Sequence, residues 1–99
     1  MPAKHAVVNT DDAARYLKRL CKHFSHKIEA TWSDSQGRLE FDIGRCRLQA
    51  ATTCLELHCE APDQQQLDQL GEVVASHLIR FAGGEVDAVH WQTVTSPDA

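Results

Sequence analysis

Arg38-Leu39-Glu40-Phe41-Asp42-Ile43, then Gly44, then Arg45-Cys46-Arg47-Leu48-Gln49-Ala50 decides the fold of this chain. Apolar and polar residues alternate on both sides of the glycine. Period-two alternation places one set of side chains on a buried sheet face and the other in water. Gly44 breaks the run as a tight turn or a bulge.

The same pattern continues in both directions. Ile28, Ala30 and Trp32 alternate with Glu29, Thr31 and Ser33, and Asp34-Ser35-Gln36-Gly37 supplies a turn. Leu55, Leu57 and Cys59 alternate with Glu56, His58 and Glu60 after a weaker turn at Thr52-Thr53. Four short alternating runs with short connections predict an antiparallel meander with one wet face.

Two stretches change period. From Ala13 onward, Leu17, Leu20, Cys21 and Phe24 recur at helical spacing, giving one apolar stripe. Asn9 or Thr10 is placed to cap this helix, and Asp11 and Asp12 are expected in its first turn. The pattern carries the helix to about His26 or Lys27. The second helix starts after Ala61-Pro62 with Asp63 as its cap. Its stripe is Leu67, Leu70, Val74, His77, Leu78 and Phe81, and Gly83-Gly84 ends it. His5 to Val8 suits a first strand and Val86 to Gln92 a last one, with Thr93 to Ala99 frayed. The order is β-α-β-β-β-β-α-β. The expectation is an α+β fold, a mostly antiparallel sheet with both helices packed on one face.

Bulk properties fit one domain spanning residues 1–99 with an ordered core of about 5–92. The chain is 42% apolar and 24% charged, ordinary for a globular protein. Its net charge of −4 argues against general affinity for nucleic acid, which depends on neutralising phosphates. No apolar run approaches membrane-spanning length. Nothing of signal-peptide character follows Met1-Pro2-Ala3-Lys4-His5, so a cytoplasmic location is expected. The four cysteines, Cys21, Cys46, Cys54 and Cys59, are then expected as thiols that pack like small apolar residues.

Charge is unevenly distributed. Residues 1–27 hold six Lys or Arg against two Asp, whereas residues 28–99 hold four Arg against twelve Asp or Glu. A helical projection puts Tyr16, Arg19, His23, His26 and Lys27 along one border of the first apolar stripe, with Lys18, Lys22 and Arg15 spread over the opposite side. His77 borders the core on the second helix, with Arg80 one step beyond. Side-by-side helices would let His23 and His77 share a groove.

Three chemistries suit this strip. Arg19, Lys22, His23, His26, Lys27, His77 and Arg80 would pair with the phosphate or carboxylate groups of an anionic small molecule, a metal complex or an acidic partner protein. The plain alternative is a solvated basic face. His23 and His26, three apart, with His77 would supply metal ligands, although Cys21-x-His23-x-x-His26 is no standard zinc spacing. His23 or His77 would also suit a general acid or base in a small enzyme. No nucleophile with an obvious base and no carboxylate pair accompanies them. The binding reading is therefore preferred to the enzymatic one, and no cofactor is specified. His5, His58 and His90 read as wet-face or edge residues.

The stretch Arg15-Tyr16-Leu17-x-x-Leu20-Cys21-Lys22-His23-Phe24-x-His26-Lys27 resembles a small bacterial family, number 2218 among the domains of unknown function. Gly44-x-Cys46-x-Leu48, Ala61-Pro62-Asp63 and His77-Leu78-x-Arg80-Phe81 followed by Trp91 agree with it. The resemblance covers roughly residues 5–92. It implies Lys22, His23, His26, Lys27, His77, Arg80 and Trp91 as the residues to watch. Similar domains occur beside or fused to siderophore-interacting flavin reductases, so the resemblance implies a link to iron handling.

Overall fold

The computed structural model describes residues 2–94. Six strands form one antiparallel sheet in the order β2-β3-β4-β5-β1-β6. The strands are β1 (Ala3–Asn9), β2 (Glu29–Trp32), β3 (Gln36–Phe41), β4 (Gly44–Ala50), β5 (Cys54–Glu60) and β6 (Gln92–Val94). Helices α1 (Ala13–Phe24) and α2 (Gln64–Ala82) cover one face. The fold is α+β with the expected element order.

Alternation in the sequence becomes the core directly. Ala6, Val8, Leu39, Cys46, Leu48, Leu55, Leu57 and Cys59 point from the sheet toward the helices and are buried. Leu17, Leu20, Cys21 and Phe24 meet them from α1, and Leu67, Leu70, Val74 and Leu78 from α2. Cys21, Cys46 and Cys59 are buried free thiols and Cys54 is half-buried. Burial pushes the Cys21 thiol up to about 11, so it stays protonated and behaves as an apolar filler.

The helix ends explain where the reading of the sequence slips. Helix α1 begins at Ala13, and the Thr10 hydroxyl accepts the Asp12 N–H at 3.0 Å just before it. Asp11 and Asp12 thus precede the first turn. The helix closes at Phe24, not at His26 or Lys27: the Ser25 hydroxyl donates to the Lys22 carbonyl at 2.7 Å, and the Lys27 N–H bonds the Phe24 carbonyl at 2.9 Å in a tighter turn. In α2, the Asp63 carboxylate accepts the Gln66 N–H at 2.8 Å, as a capping residue should. Asp63→Ala is expected to lower stability by about 1 kcal/mol in urea unfolding, with the midpoint falling and the slope unchanged.

Three strand boundaries also differ. Gly37 lies within β3 rather than in a turn, paired with Trp32 and Leu48, and α1 packs so close that a Cβ there would sit 2.7 Å from the Cys21 sulfur. The β3–β4 hairpin turns at Asp42–Ile43, one pair earlier than the alternation suggested, and Gly44 pairs with Phe41. The last strand is Gln92–Val94 instead of 86–92. Val86 is buried, and Val89 and Trp91 pack on the core from an irregular segment. Thr93 and Val94 pair with Lys4 and Ala3, so the expected fraying does not begin at Thr93. Residues 95–99 of that expectation lie outside the described residues.

Candidate functional site

Helices α1 and α2 lie side by side, and their touching flanks bring His23 and His77 together. The two imidazoles stand 5.0 Å apart between ring centres, tilted by 44°. They cap an aromatic layer. His77 lies 4.8 Å from Phe24, His23 lies 5.4 Å from Phe81, and Phe24 continues inward to Phe41 at 5.1 Å. Both histidines are half-buried. The Nδ1 of His77 is 2.7 Å from the Val73 carbonyl oxygen. A carbonyl only accepts, so Nδ1 carries a proton and the Nε2 position is left for other chemistry.

Cations ring this pair. Arg19 rests its guanidinium over the Phe81 ring at 5.0 Å. Lys22 projects from the last turn of α1, and Arg80 from the last turn of α2. His26 and Lys27 sit on the turn beyond α1 and are exposed. Desolvation lowers the His23 pKa below the ordinary imidazole value, helped by the positive field of His77, Lys27, His26 and Arg80. His23 therefore gives up its proton more readily than an ordinary imidazole.

Two expectations about the strip change. Tyr16 is not a border residue: it is 2% exposed and belongs to the core. His23, His26 and His77 do not converge as metal ligands. Among the described residues, no three His, Cys, Asp or Glu side chains are placed to hold an ion.

A concave region on the opposite face of the sheet escaped the sequence reading. It has a volume of about 600 Å³, and His5, Arg38, Arg47, Gln49, Glu56 and His58 are among its lining residues. Each of these sits at a wet-face position of its strand, and the alternation alone had marked them as solvated. Only the register of the strands shows which of them become neighbours. Neither this cavity nor a smaller one beside it includes His23 or His77.

The family model described as "Uncharacterized protein conserved in bacteria (DUF2218)" matches residues 5–92. The chain belongs to this family. The NMR structure of PA4090 from Pseudomonas aeruginosa matches this DUF2218 chain with a TM-score of 0.79 at 34% identity, over 93% of this chain and 96% of that one. No curated protein matches the sequence. The description of the DUF2218 family names no reaction or ligand, so the functional reading rests on the side chains.

Proposed function

We propose that this DUF2218 domain is a small cytoplasmic binding or accessory module that takes an anion on Arg19, Lys22, His23, His26, Lys27, His77 and Arg80. One observation carries the proposal. Arg15, Lys18 and Arg45 each have a carboxylate within 3.2 Å, and Arg38 and Arg47 have one in looser contact at 3.7 and 3.5 Å. Arg19, Lys22, Lys27 and Arg80 have none among the described residues; Lys27 and Arg80 bear on His23 directly, Arg19 rests over Phe81 beside it, and Lys22 directly precedes His23 on α1. Apart from Lys4, which rests over the Trp91 ring, the cations of this acidic domain that lack a carboxylate partner thus sit on or just beyond its two helices. Charge-assisted contacts to carboxylate or phosphate oxygens would satisfy them.

The plainest competing role is electrostatic. Lys22 and His23 sit in the last turn of α1, where positive charge complements the helix dipole. The two roles separate experimentally. In an NMR titration with a ferric catecholate siderophore, and in a second with a poly-glutamate peptide, the quadruple variant R19Q/K22Q/K27Q/R80Q is expected to lose about tenfold or more in affinity for the probe that binds, or about 1.4 kcal/mol. It should remain folded. A variant that loses stability while binding neither better nor worse would assign the cations to the dipole alone. His23→Ala with His26→Ala is expected to abolish binding without unfolding the protein.

The lowered pKa of His23 adds a pH prediction. In the unfolded chain the imidazole takes its proton near the usual value of about 6.5. The folded state binds that proton more weakly, so stability is fully present above pH 6.5 and falls as pH drops below it. An NMR titration should place the His23 midpoint below the ordinary value, and a bound anion should move it back up. A midpoint unmoved by a saturating anion would remove His23 from the binding site.

A further inference from the structure

We propose that the open face of the sheet is a second binding site, for a small molecule carrying a carboxylate or phosphate group that Arg38 and Arg47 hold. It lies across the sheet from the helices and is independent of the strip around His23.

The strand register sorts the wet-face side chains into rows. Thr31 pairs with Arg38, Arg38 with Arg47, Arg47 with His58 and His58 with His5. This row crosses five of the six strands and carries no carboxylate. On one side runs a mainly acidic row of Glu29, Glu40, Arg45 and Glu60. On the other runs an amide-rich row of Gln36, Gln49 and Glu56. A merely solvated sheet face would intersperse opposite charges across strands, because directly opposed like charges cost about 0.2–1 kcal/mol per pair. Here two guanidinium-bearing residues oppose each other, and an imidazole follows.

The row also has unused hydrogen-bonding capacity. Arg38 approaches Glu40 at 3.7 Å and Arg47 approaches Glu60 at 3.5 Å, both beyond ordinary N–H···O distance. Neither guanidinium makes a hydrogen bond to another described side chain or backbone group. Arg45 instead takes the close position on Glu40, at 2.9 Å. Glu56 is engaged by His5 at 3.5 Å, so the carboxylate nearest the amides is partly neutralised whenever His5 is protonated. Burial and the Arg47 charge lower the His58 pKa, which leaves His58 neutral near pH 7, with one N–H to donate. The rings of His5 and His58 are 6.3 Å apart and give one end of the floor flat surfaces.

Shape agrees with charge. The row forms part of the floor of the cavity of about 600 Å³, within the range of small-molecule sites. Planar guanidiniums match the geometry of carboxylate and phosphate oxygens, and Gln36 and Gln49 offer amides to the rest of the molecule. The occupant is therefore a compact anion with a polar body.

The test is a titration of ¹⁵N-labelled protein with benzoate, which presents a carboxylate on a ring, and separately with inorganic phosphate. At least one probe should give saturable amide shifts at Thr31, Arg38, Arg47 and His58. R38Q/R47Q should weaken that binding about tenfold or more, and K22Q/K27Q should leave it unchanged. R38K/R47K keeps the charge without the fork and should bind with intermediate affinity. Saturation by benzoate alone assigns the site to carboxylates, and by phosphate alone to phosphoryl groups. The proposal is overturned if neither probe saturates on this face, or if the shifts survive in R38Q/R47Q. All four substituted positions are exposed, so an unchanged amide spectrum away from the site will confirm that each variant is folded.

Discussion

Gly44→Ala is expected to destabilise the domain by about 2–6 kcal/mol, combining backbone strain with overpacking. Gly44 opens β4 with φ +156°, and an added Cβ would collide with the Glu60 carbonyl oxygen. The same carbon would lie 3.0 Å from a Leu70 methyl and 3.1 Å from the Ala61 Cβ. None of these neighbours yields easily. Leu70 and Ala61 are both 0% exposed, and Glu60 is held in the sheet opposite Arg45. Gly83→Ala is the comparison. Gly83 also has positive φ, at +60°, but its Cβ would meet nothing within 4 Å. Only the left-handed conformation is then penalised, at about 1–2 kcal/mol. Thermal unfolding should separate the two, with Tm falling at least about 10 °C for Gly44→Ala and by less for Gly83→Ala. Equal losses would mean that the close approach of β4 to the Ala61 corner contributes nothing.

Gly44 also shows what kind of information the sequence carried. Its interruption of an alternating run located a hairpin, since alternation is a local property with a sharp period. The crowding beside Glu60 and Ala61 was not legible, because it depends on a strand and a helix start many residues away. Gly37 is the stronger case. Beside Asp34 and Ser35 it read as part of a turn, yet Cys21 and Leu17 of α1 press against it where a side chain would stand. A glycine chosen for turning and one chosen for packing look alike until the helix is placed.

The same division holds at the surface. The meeting of His23 and His77 was legible because each borders an apolar stripe and two helices on one sheet face have few ways to lie. His26 was misplaced because one hydroxyl, on Ser25, helps end the helix two residues before the charge pattern does. The Arg38–Arg47–His58–His5 row was invisible for a different reason. Each member is an ordinary wet-face residue of its own strand. Only the pairing of four strands in one register turns scattered residues into a line.

Tyr16→Ala is expected to cost about 3–5 kcal/mol, as for other fully buried aromatic side chains. On a helical projection Tyr16 falls at the border of the α1 stripe, among the basic residues. In the fold, α1 is covered by four strands and by α2, so the buried arc is wider than one stripe. Tyr16 joins Ala13, Leu17, Leu20, Cys21 and Phe24 in the core and is 2% exposed. The Arg15 guanidinium covers its ring at 5.4 Å. A packing role and a binding role diverge in Tyr16→Phe, which keeps the ring and removes the hydroxyl. Packing predicts that Tyr16→Phe changes stability by less than about 1.5 kcal/mol, as other shape-conserving swaps do, and leaves anion affinity at the helix strip unaltered. Tyr16→Ala should lose stability first and binding only through unfolding. If Tyr16→Phe stays fully stable but loses the anion, the hydroxyl contacts the ligand, and the strip extends one turn further toward the start of α1 than the cations around His23 define.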